Sequence, residues 1–288
     1  MLTRRKFLYA SGLAAAGTAV AGTVGFIESD RPQLTRVDVR LRRLPHEFDG
    51  FTIAQLSDFH YEEYFSIVPI RKGVELVNGL RPDLIVLTGD YVTVPIGDYR
   101  RSTAYRFAKN SGPCAALVSE LKTAFGIFAV LGNHDGASNP SYVSSALEAH
   151  GIPVLTNRSV PLERGKARIW LAGVDDVLEG RPDLGAALSK IPAGDVTILL
   201  AHEPDFADQV IFAPVDLQLA GHSHGGQIWI PGIGAPWLPQ LARKYPRGLY
   251  EIGKLQLYTN LGIGTIRVPV RLNCPPEVTL ITLRSIAV

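Results

Sequence analysis

Residues 84–90 read Leu-Ile-Val-Leu-Thr-Gly-Asp, a continuous apolar run that ends abruptly in polar residues. The same pattern occurs at residues 51–58 (Phe-Thr-Ile-Ala-Gln-Leu-Ser-Asp) and 126–134 (Gly-Ile-Phe-Ala-Val-Leu-Gly-Asn-His). Short uninterrupted apolar runs of this kind are typical of strands buried on both faces. Helix-like stretches at residues 70–78 and 115–124 separate the three runs, so the first half of the chain predicts a βαβαβ unit with a parallel sheet.

The segments on either side of this unit also predict strands. Upstream, Val37, Val39 and Leu41 alternate with charged residues in a lead-in over residues 32–49, which predicts an edge strand. Downstream, three strands are predicted at residues 168–173, 196–201 and 216–220. A helix at residues 204–211 is predicted to join the last two strands. Beyond Gly225, four strand-like segments without long helices between them predict an antiparallel closing sheet: residues 227–230, 248–252, 254–259 and 277–283.

Polar side chains follow the predicted strands at the points where the strands end. In chain order these residues are Asp58, His60, Asp90, Asn133, His134, His202, His222 and His224. Only His46 and His150, of the 7 histidines in the chain, lie outside this set. Because functional groups in open α/β sheets collect at the carboxyl ends of the strands, we expect these side chains to meet at one site.

The spacing and chemistry of this set indicate a metal site. Asp58 and His60 are two residues apart, as are His222 and His224, and alternate residues of an extended segment point the same way. Mixed oxygen and imidazole ligands suit Mn²⁺, Fe²⁺ or Zn²⁺, and the absence of cysteine from the set argues against a structural zinc site. A carboxylate such as that of Asp90 can bridge two ions.

Each residue of the set also has an ordinary structural interpretation. A single Asp after a strand, such as Asp90, is often a turn or helix cap, and a single histidine such as His202 is often a hydrogen-bonded core residue. The strings Gly132-Asn133-His134-Asp135 and Gly221-His222-Ser223-His224 are more specific, and both follow predicted strands. The combination therefore favours a metal centre over a set of unrelated turn residues.

With these motifs, the chain resembles the calcineurin-like metallophosphoesterase family over residues 48–285. The resemblance implies an α/β fold, a four-layer αββα sandwich with two mixed central sheets and a metal site at the carboxyl ends of the strands. Four late features resemble the branch that includes exported phosphoesterases and UDP-2,3-diacylglucosamine pyrophosphatases: Gly225-Gly226-Gln227, the Pro231-Gly232 turn, Gly248-Leu249-Tyr250 and Cys274-Pro275-Pro276-Glu277.

The resemblance also implies a role for each residue of the set. One divalent ion would be held by Asp58, His60 and His224, a second by Asn133, His202 and His222, and Asp90 would bridge both ions (Mn, Fe or Zn). His134 would stabilise the transferring phosphoryl oxygens or protonate the leaving group, with Asp135 orienting its ring. Gly89 and Gly132 would keep the backbone close to the ions.

The implied activity is hydrolysis of a phosphoester, phosphodiester or pyrophosphate bond by metal-activated water. The expected substrate is a phosphate-containing small molecule or lipid. One alternative is a UDP-2,3-diacylglucosamine-type lipid nucleotide pyrophosphatase, and an alternative of another class is a non-catalytic metal-binding scaffold. No P-loop string occurs in the sequence, and the Gly-x-Ser-x-Gly string at residues 221–225 contains His222 and His224 of the predicted metal set.

The segment over residues 91–113 is longer than is usual in the family and carries several aromatic and basic residues: Tyr99, Arg100, Arg101, Tyr105, Arg106 and Lys109. We predict a solvated surface loop here. The alternative is a lid that contacts the substrate phosphate or the leaving group.

The N-terminus is predicted to be a separate segment, residues 1–30, before a single domain over residues 31–288. Arg4, Arg5 and Lys6 precede an uncharged run, and the adjacent arginines resemble a twin-arginine export signal. The expected partner is therefore the twin-arginine export machinery, and the expected location is the periplasm or the outer face of the cytoplasmic membrane. Cleavage after Ala21 and retention as an anchor, with contact to the membrane surface, both remain open.

Charge and cysteine content narrow the functional class further. Removal of residues 1–21, with three positive charges, changes the formal net charge from +2 to −1, so the domain lacks the basic excess of nucleic-acid-binding proteins. We expect no nucleic-acid partner. Cys114 and Cys274 are too few for a disulfide framework, and we expect no disulfide between them.

Overall fold

The computed structural model describes residues 28–99 and 103–286. The strands in these residues are, in chain order, β1 (Gln33–Leu41), β2 (Thr52–Leu56), β3 (Leu84–Leu87), β4 (Ile127–Ala129), β5 (Arg158–Arg164), β6 (Ala167–Gly173), β7 (Thr197–Leu200), β8 (Leu217–Ala220), β9 (Gly248–Ile252), β10 (Leu255–Thr259) and β11 (Glu277–Ser285). They form a five-stranded sheet in the order β1-β11-β2-β3-β4 and a six-stranded sheet in the order β5-β6-β7-β8-β10-β9.

Both sheets are mixed. In the five-stranded sheet, β2, β3 and β4 run parallel, with Ile53 opposite Leu84 and Ile85 opposite Ile127, as the βαβαβ prediction requires. In the six-stranded sheet, β6, β7, β8 and β10 run parallel, and β5 and β9 are antiparallel edges. The two parallel sets are the strands whose carboxyl ends carry the polar residues of the predicted metal set.

The helices lie on the outer faces of the two sheets. They are α1 (Ile67–Leu80), α2 (Ser111–Val118), α3 (Asn133–Ser138), α4 (Pro140–Glu148), α5 (Leu184–Leu188) and α6 (Ala207–Val210). One buried cluster between the sheets includes Ile53, Val86 and Leu219, and separate clusters bury Val74 of α1 and Val210 of α6 against opposite outer faces. The predicted four-layer αββα sandwich is therefore confirmed.

The predicted antiparallel closing sheet is wrong. Strands β9 and β10 extend the six-stranded sheet, and β11 instead lies between β1 and β2 in the five-stranded sheet. Residues 227–230 form only isolated bridges, from Ile228 to Leu272 and from Ile230 to Gly234. The first five residues of β11 are all buried, because a central strand between two layers has neighbours on both faces and both edges.

Strand β5 and helix α4 were not predicted. Most positions of the edge strand β5 carry polar residues, and only Leu162 is buried. The strand therefore has little apolar periodicity from which it could be predicted. Helix α4 does have a start signal, since the Asn139 side chain accepts a hydrogen bond from Tyr142 N and Pro140 occupies the first turn.

Two sequence predictions concern residues away from the sheets. Cys114 and Cys274 are buried free thiols. Among residues 28–99 and 103–286, no helix has the length and apolar character needed to cross a bilayer. The twin-arginine segment lies outside the described residues, apart from its last three positions.

Candidate metal centre

The polar residues that end the strands of both sheets meet in one buried cluster. Asp58 and His60 follow β2, Asp90 follows β3, and His202 and the His222–His224 pair follow β7 and β8. All of these side chains are buried. Potential ligand atoms of Asp58, His60 and His224 lie within 4.8 Å of one another and form the first cluster. Those of Asp90, His202 and His222 also lie within 4.8 Å of one another and form the second cluster.

In the first cluster, three potential ligand atoms converge. His60 Nε2 lies 3.0 Å from His224 Nε2, which lies 3.2 Å from Asp58 Oδ1. The other ring nitrogen of His60 is 3.2 Å from Thr93 Oγ1, and both Asp58 oxygens accept from the backbone N–H of His222, at 3.1 and 3.0 Å. Two imidazole nitrogens that face each other beside a carboxylate form a donor set suited to a divalent cation.

The second cluster shows how its histidines are oriented. His202 Nδ1 donates to Thr88 O at 2.6 Å, and His222 Nε2 donates to Gln240 O at 2.8 Å. Each ring uses one nitrogen to donate to a backbone carbonyl, which leaves its other nitrogen for a cation, as in ligating histidines.

Two buried atoms test whether a metal ion fits this second cluster. The Asn133 carbonyl oxygen Oδ1 is buried without a hydrogen-bond partner, and His202 Nε2 is buried with only the Asp90 carboxylate, 3.2 Å away, beside it. Such atoms are costly unless something binds them, and both belong to residues predicted as ligands. The donor set therefore fits a bound cation.

Asp90 lies between the two clusters. Its Oδ2 is 3.5 Å from His60 Nε2 of the first cluster and 3.2 Å from His202 Nε2 of the second. Its Oδ1 accepts from His134 N at 2.9 Å, which fixes the carboxylate. Although burial opposes ionisation, the neighbouring His202 holds the pKa of Asp90 well below its ordinary value. One ionised carboxylate thus reaches both clusters.

His134 lies beside the clusters and is oriented by the backbone. Its Nδ1 accepts from Val94 N at 2.9 Å, so the ring's proton is placed on Nε2. Burial lowers the pKa of His134 below its usual value, which keeps the ring neutral at pH 7. One of its nitrogens is also within 4.8 Å of ligand atoms of His60 and Asp90.

The prediction that Asp135 orients the His134 ring is wrong. The Asp135 carboxylate accepts from the backbone N–H groups of Asp90, Tyr91, Val92 and Gly132, at 2.8 to 3.2 Å. A buried carboxylate draws these four donors because unpaired backbone N–H groups would otherwise remain buried in the turns after β3 and β4. Asp135 therefore shapes the loop that carries Asp90.

The backbone at the strand ends is held in an unusual conformation. Five residues of the set have positive φ, with values from 43° to 66°: Asp58, His60, Asp90, His222 and His224. Such left-handed residues cost about 1–3 kcal/mol each when they are not glycine, and they concentrate at functional sites. A Cβ on Gly132 would lie 2.4 Å from Asp90 Oδ1 and 2.7 Å from His202 Nε2, so this position requires glycine.

The segment that carries these residues matches a known protein family. Residues 51–226, which contain every residue of the predicted set, match the family model described as calcineurin-like phosphoesterase. The chain belongs to the calcineurin-like phosphoesterase family. It is a metal-dependent phosphoesterase, and the clustered Asp and His side chains are its candidate ligands.

Two relatives match this phosphoesterase over nearly its whole length. The uncharacterized metallophosphoesterase YkuE of Bacillus subtilis (strain 168) is 35% identical, over 99% of this chain and 98% of that protein. The phosphodiesterase YaeI of Escherichia coli (strain K12) is 30% identical, over 98% of this chain and 100% of that protein. A solved structure, a dimetal phosphatase from Danio rerio, is 14% identical, covers 75% of this chain and 88% of its own, and has a TM-score of 0.45.

The phosphoesterase site opens into a cavity of about 680 Å³. Asp90, Asn133, His134, His222 and His224 line its floor, together with residues of the 91–113 segment and of the loop near residue 267. The cavity is large enough for a substrate with two substituents on its phosphate.

The prediction of a solvated loop over residues 91–113 is wrong at both ends, since the first residues are buried and the last form a 3-10 helix (Ala104–Asn110) and the start of α2. Tyr91, Val92 and Val94 are buried, since their backbone N–H groups hold Asp135 and His134. Tyr99 accepts a hydrogen bond from Asn133 Nδ2 at 2.5 Å. Whether the segment acts as a lid stays a prediction, and Arg100 and Arg101 lie outside the described residues.

A buried arginine that the sequence did not single out supports the first cluster. The Arg271 guanidinium donates to the carbonyls of Leu261, Gly262 and Cys274, at 3.0 to 3.1 Å. Gly264 N, in the same loop, donates to Asp58 O at 2.8 Å. Arg271 thus holds the loop on which the Asp58 turn rests, and no sequence pattern distinguished it from a surface arginine.

Proposed function

We propose that this phosphoesterase hydrolyses a phosphodiester bond at the two ligand clusters. The observation that carries the proposal is the position of the Asp90 carboxylate, within 3.5 Å of a histidine nitrogen in each cluster. The name of the Escherichia coli relative, a phosphodiesterase 30% identical over 98% of this chain, supports the diester over the monoester.

The residues divide into ligands and a neutral hydrogen-bond donor. Asp58, His60 and His224 would hold one divalent ion, Asn133, His202 and His222 the second, and Asp90 both. Bound ions would supply charge neutralisation for the phosphate and lower the pKa of the attacking water. His134 Nε2–H would donate to a phosphoryl oxygen or to the departing ester oxygen, while Val94 N keeps the ring in place.

Metal removal is expected to abolish hydrolysis, and Mn²⁺, Zn²⁺ or Fe²⁺ is expected to restore it. The reason is that Asp and His ligand atoms converge in two buried clusters and that Asn133 Oδ1 is buried without a hydrogen-bond partner. The measurement is hydrolysis of a soluble aryl phosphate diester by the chelated and reloaded chain, together with elemental analysis. Full activity with at most one ion per chain would contradict the two-ion assignment.

The same assay separates the substrate classes. Aryl diester, aryl monoester, a nucleotide-sugar pyrophosphate and a UDP-diacylglucosamine-type lipid should be compared with one metal-loaded preparation. The proposal expects the diester to have the largest kcat/KM. A larger value for the lipid nucleotide would favour the pyrophosphatase alternative, and stoichiometric metal without turnover of any substrate would favour a binding scaffold.

We also propose that the enzyme works outside the cytoplasm, at the outer face of the cytoplasmic membrane, after twin-arginine export. The support is the adjacent Arg4-Arg5 pair before an uncharged stretch rich in Ala, Gly and Thr.

Replacing Arg4 and Arg5 by lysine keeps the charge and is expected to block export, because a receptor reads the arginine pair. The measurement is the fraction of enzyme outside the cytoplasm, with Lys6→Arg as a control that leaves the pair intact. Normal export of the double variant would show a general signal or anchor instead.

A further inference from the structure

Three exposed apolar side chains line the cavity, and three more lie near them in the chain. Phe65, Trp237 and Val268 line the cavity, and Tyr64, Val68 and Ile233 lie close to them in the chain. These six residues, here called the apolar rim, have exposed fractions from 41% for Phe65 to 84% for Tyr64. Single exposed apolar residues are ordinary, but several from the segments that line one cavity indicate an interaction surface.

The described chain begins beside this rim. Ser29 Oγ donates to Pro269 O at 3.3 Å, and Pro269 follows Val268 of the rim and lines the same cavity. Asn273 N donates to a Glu28 carboxylate oxygen at 2.9 Å, and Asn273 Nδ2 donates to Trp229 O at 3.1 Å. These contacts hold Glu28 and Ser29 between the Val268 segment and the segment that leads to Ile233 and Trp237.

The sequence before Glu28 fits a membrane partner. No charged residue occurs between Lys6 and Glu28. A stretch of about 20 such residues is the length that crosses the hydrocarbon core of a bilayer. The uncharged stretch therefore ends where the chain reaches the apolar rim, so a bilayer that contains the stretch would lie against the rim.

The rim also has the composition of a membrane interface. The Arg267 guanidinium lies 4.2 Å from the centre of the Trp237 ring, which pairs an amphipathic aromatic ring with a cation at the cavity mouth. Trp and Tyr are the residues enriched where lipid headgroups meet the acyl chains, and Trp237 and Tyr64 occupy such positions on the rim.

We propose that the apolar rim is a docking surface for a lipid bilayer, so that the cavity and its metal centre face the headgroups. The consequence for substrate rests on the proposed function: the diester would be that of a phospholipid headgroup. Water would form the new P–O bond, the bond to one ester oxygen would break, and that oxygen would leave with a proton.

The docking is tested by tryptophan fluorescence of the full chain in vesicles that contain brominated phosphatidylcholine. Trp170→Phe with Trp229→Phe leaves Trp237 as the only tryptophan of the 3 in the chain. Bromine is expected to quench most of the Trp237 emission. In the matched control all 3 tryptophans are replaced and Phe212, 90% exposed and not a cavity residue, is changed to Trp; no bromine quenching is expected there.

Equal quenching at positions 237 and 212, or none at 237, would overturn the docking. Concentration-dependent dimers without quenching would overturn it in favour of a second copy of the chain on the rim. If the double tryptophan variant fails to fold, the difference in quenching between the unaltered chain and Trp237→Phe gives the same decision. If bromine quenches Trp237 but the unaltered enzyme does not hydrolyse a soluble diester, the result would contradict the proposed function and leave the docking intact.

The substrate consequence is tested by the ratio of two rates, on phosphatidylglycerol in vesicles and on a soluble aryl diester. The variant Tyr64→Ser, Val68→Ser, Ile233→Ser changes rim residues that do not line the cavity. Its ratio is expected to fall at least about tenfold, equivalent to about 1.4 kcal/mol, while Phe212→Ser keeps the ratio. An unchanged ratio, or no phosphatidylglycerol turnover by the unaltered enzyme, would overturn the headgroup assignment.

Discussion

Asp90→Ala is expected to lose both metal ions and at least about a thousandfold of the hydrolytic rate, since metal ions supply several kcal/mol of transition-state stabilisation. The structural reason is that the Asp90 carboxylate reaches His60 in one cluster and His202 in the other. If Asp90 bridges two ions as proposed, its removal would take a ligand from both and leave their repulsion unscreened. The measurements are kcat on a soluble diester and metal content per chain.

Two further variants separate metal binding from folding. Asp90→Asn suits the left-handed backbone at this position, where φ is 58°, and keeps an acceptor for His134 N, so it should fold and bind the ions more weakly. Asp175→Ala removes another carboxylate near a strand end, one that accepts from Arg181 N at 2.8 Å and is not in either cluster. This control should keep both ions. An Asp90→Ala enzyme with two ions and normal rate would exclude the bridging role.

His134→Ala is expected to keep both ions and the fold but to lose about a hundredfold to ten-thousandfold of the rate, the range for a positioned acid or charge stabiliser. The Nδ1 of His134 is occupied by Val94 N–H, which leaves Nε2–H to act on the substrate. The measurement is kcat across a series of aryl diesters with different leaving groups. His150→Ala, which changes an exposed histidine two residues beyond the end of α4, is the matched control and should have no effect.

The pattern of the His134→Ala effect assigns the role. A loss that shrinks as the leaving group improves would indicate protonation of the leaving oxygen, and a uniform loss would indicate charge stabilisation. The structure also allows a third result, since a His134 nitrogen lies within 4.8 Å of ligand atoms of His60 and Asp90. Loss of metal in this variant would make His134 a ligand.

The part of the site that the sequence predicted consists of side chains at the ends of parallel strands. Residues such as Asp90 and His202 follow short apolar runs, and the topology of parallel strands brings such ends to one edge. The prediction needed no knowledge of distant contacts. The roles of these residues as metal ligands remain predictions, which metal analysis of the variants tests.

The part that the sequence did not predict depends on backbone groups and long-range contacts. Val94 orients His134 through its N–H, which is the same in every residue except proline, so no side-chain pattern reveals it. Tyr99 and Arg271 reach the site from segments whose sequences resemble surface loops. Likewise, the register of β11 between β1 and β2 depends on pairing across more than 200 residues, which local periodicity does not encode.

Both proposed ion positions take ligands from both sheets, and this division sets an order of events during synthesis. A ribosome delivers the chain from its N-terminus, so Asp58, His60 and Asp90 emerge long before His202, His222 and His224. Neither cluster is complete until residue 222 or 224 has left the exit tunnel and the six-stranded sheet has docked. The ions would therefore be captured late in synthesis, and each would join one sheet to the other.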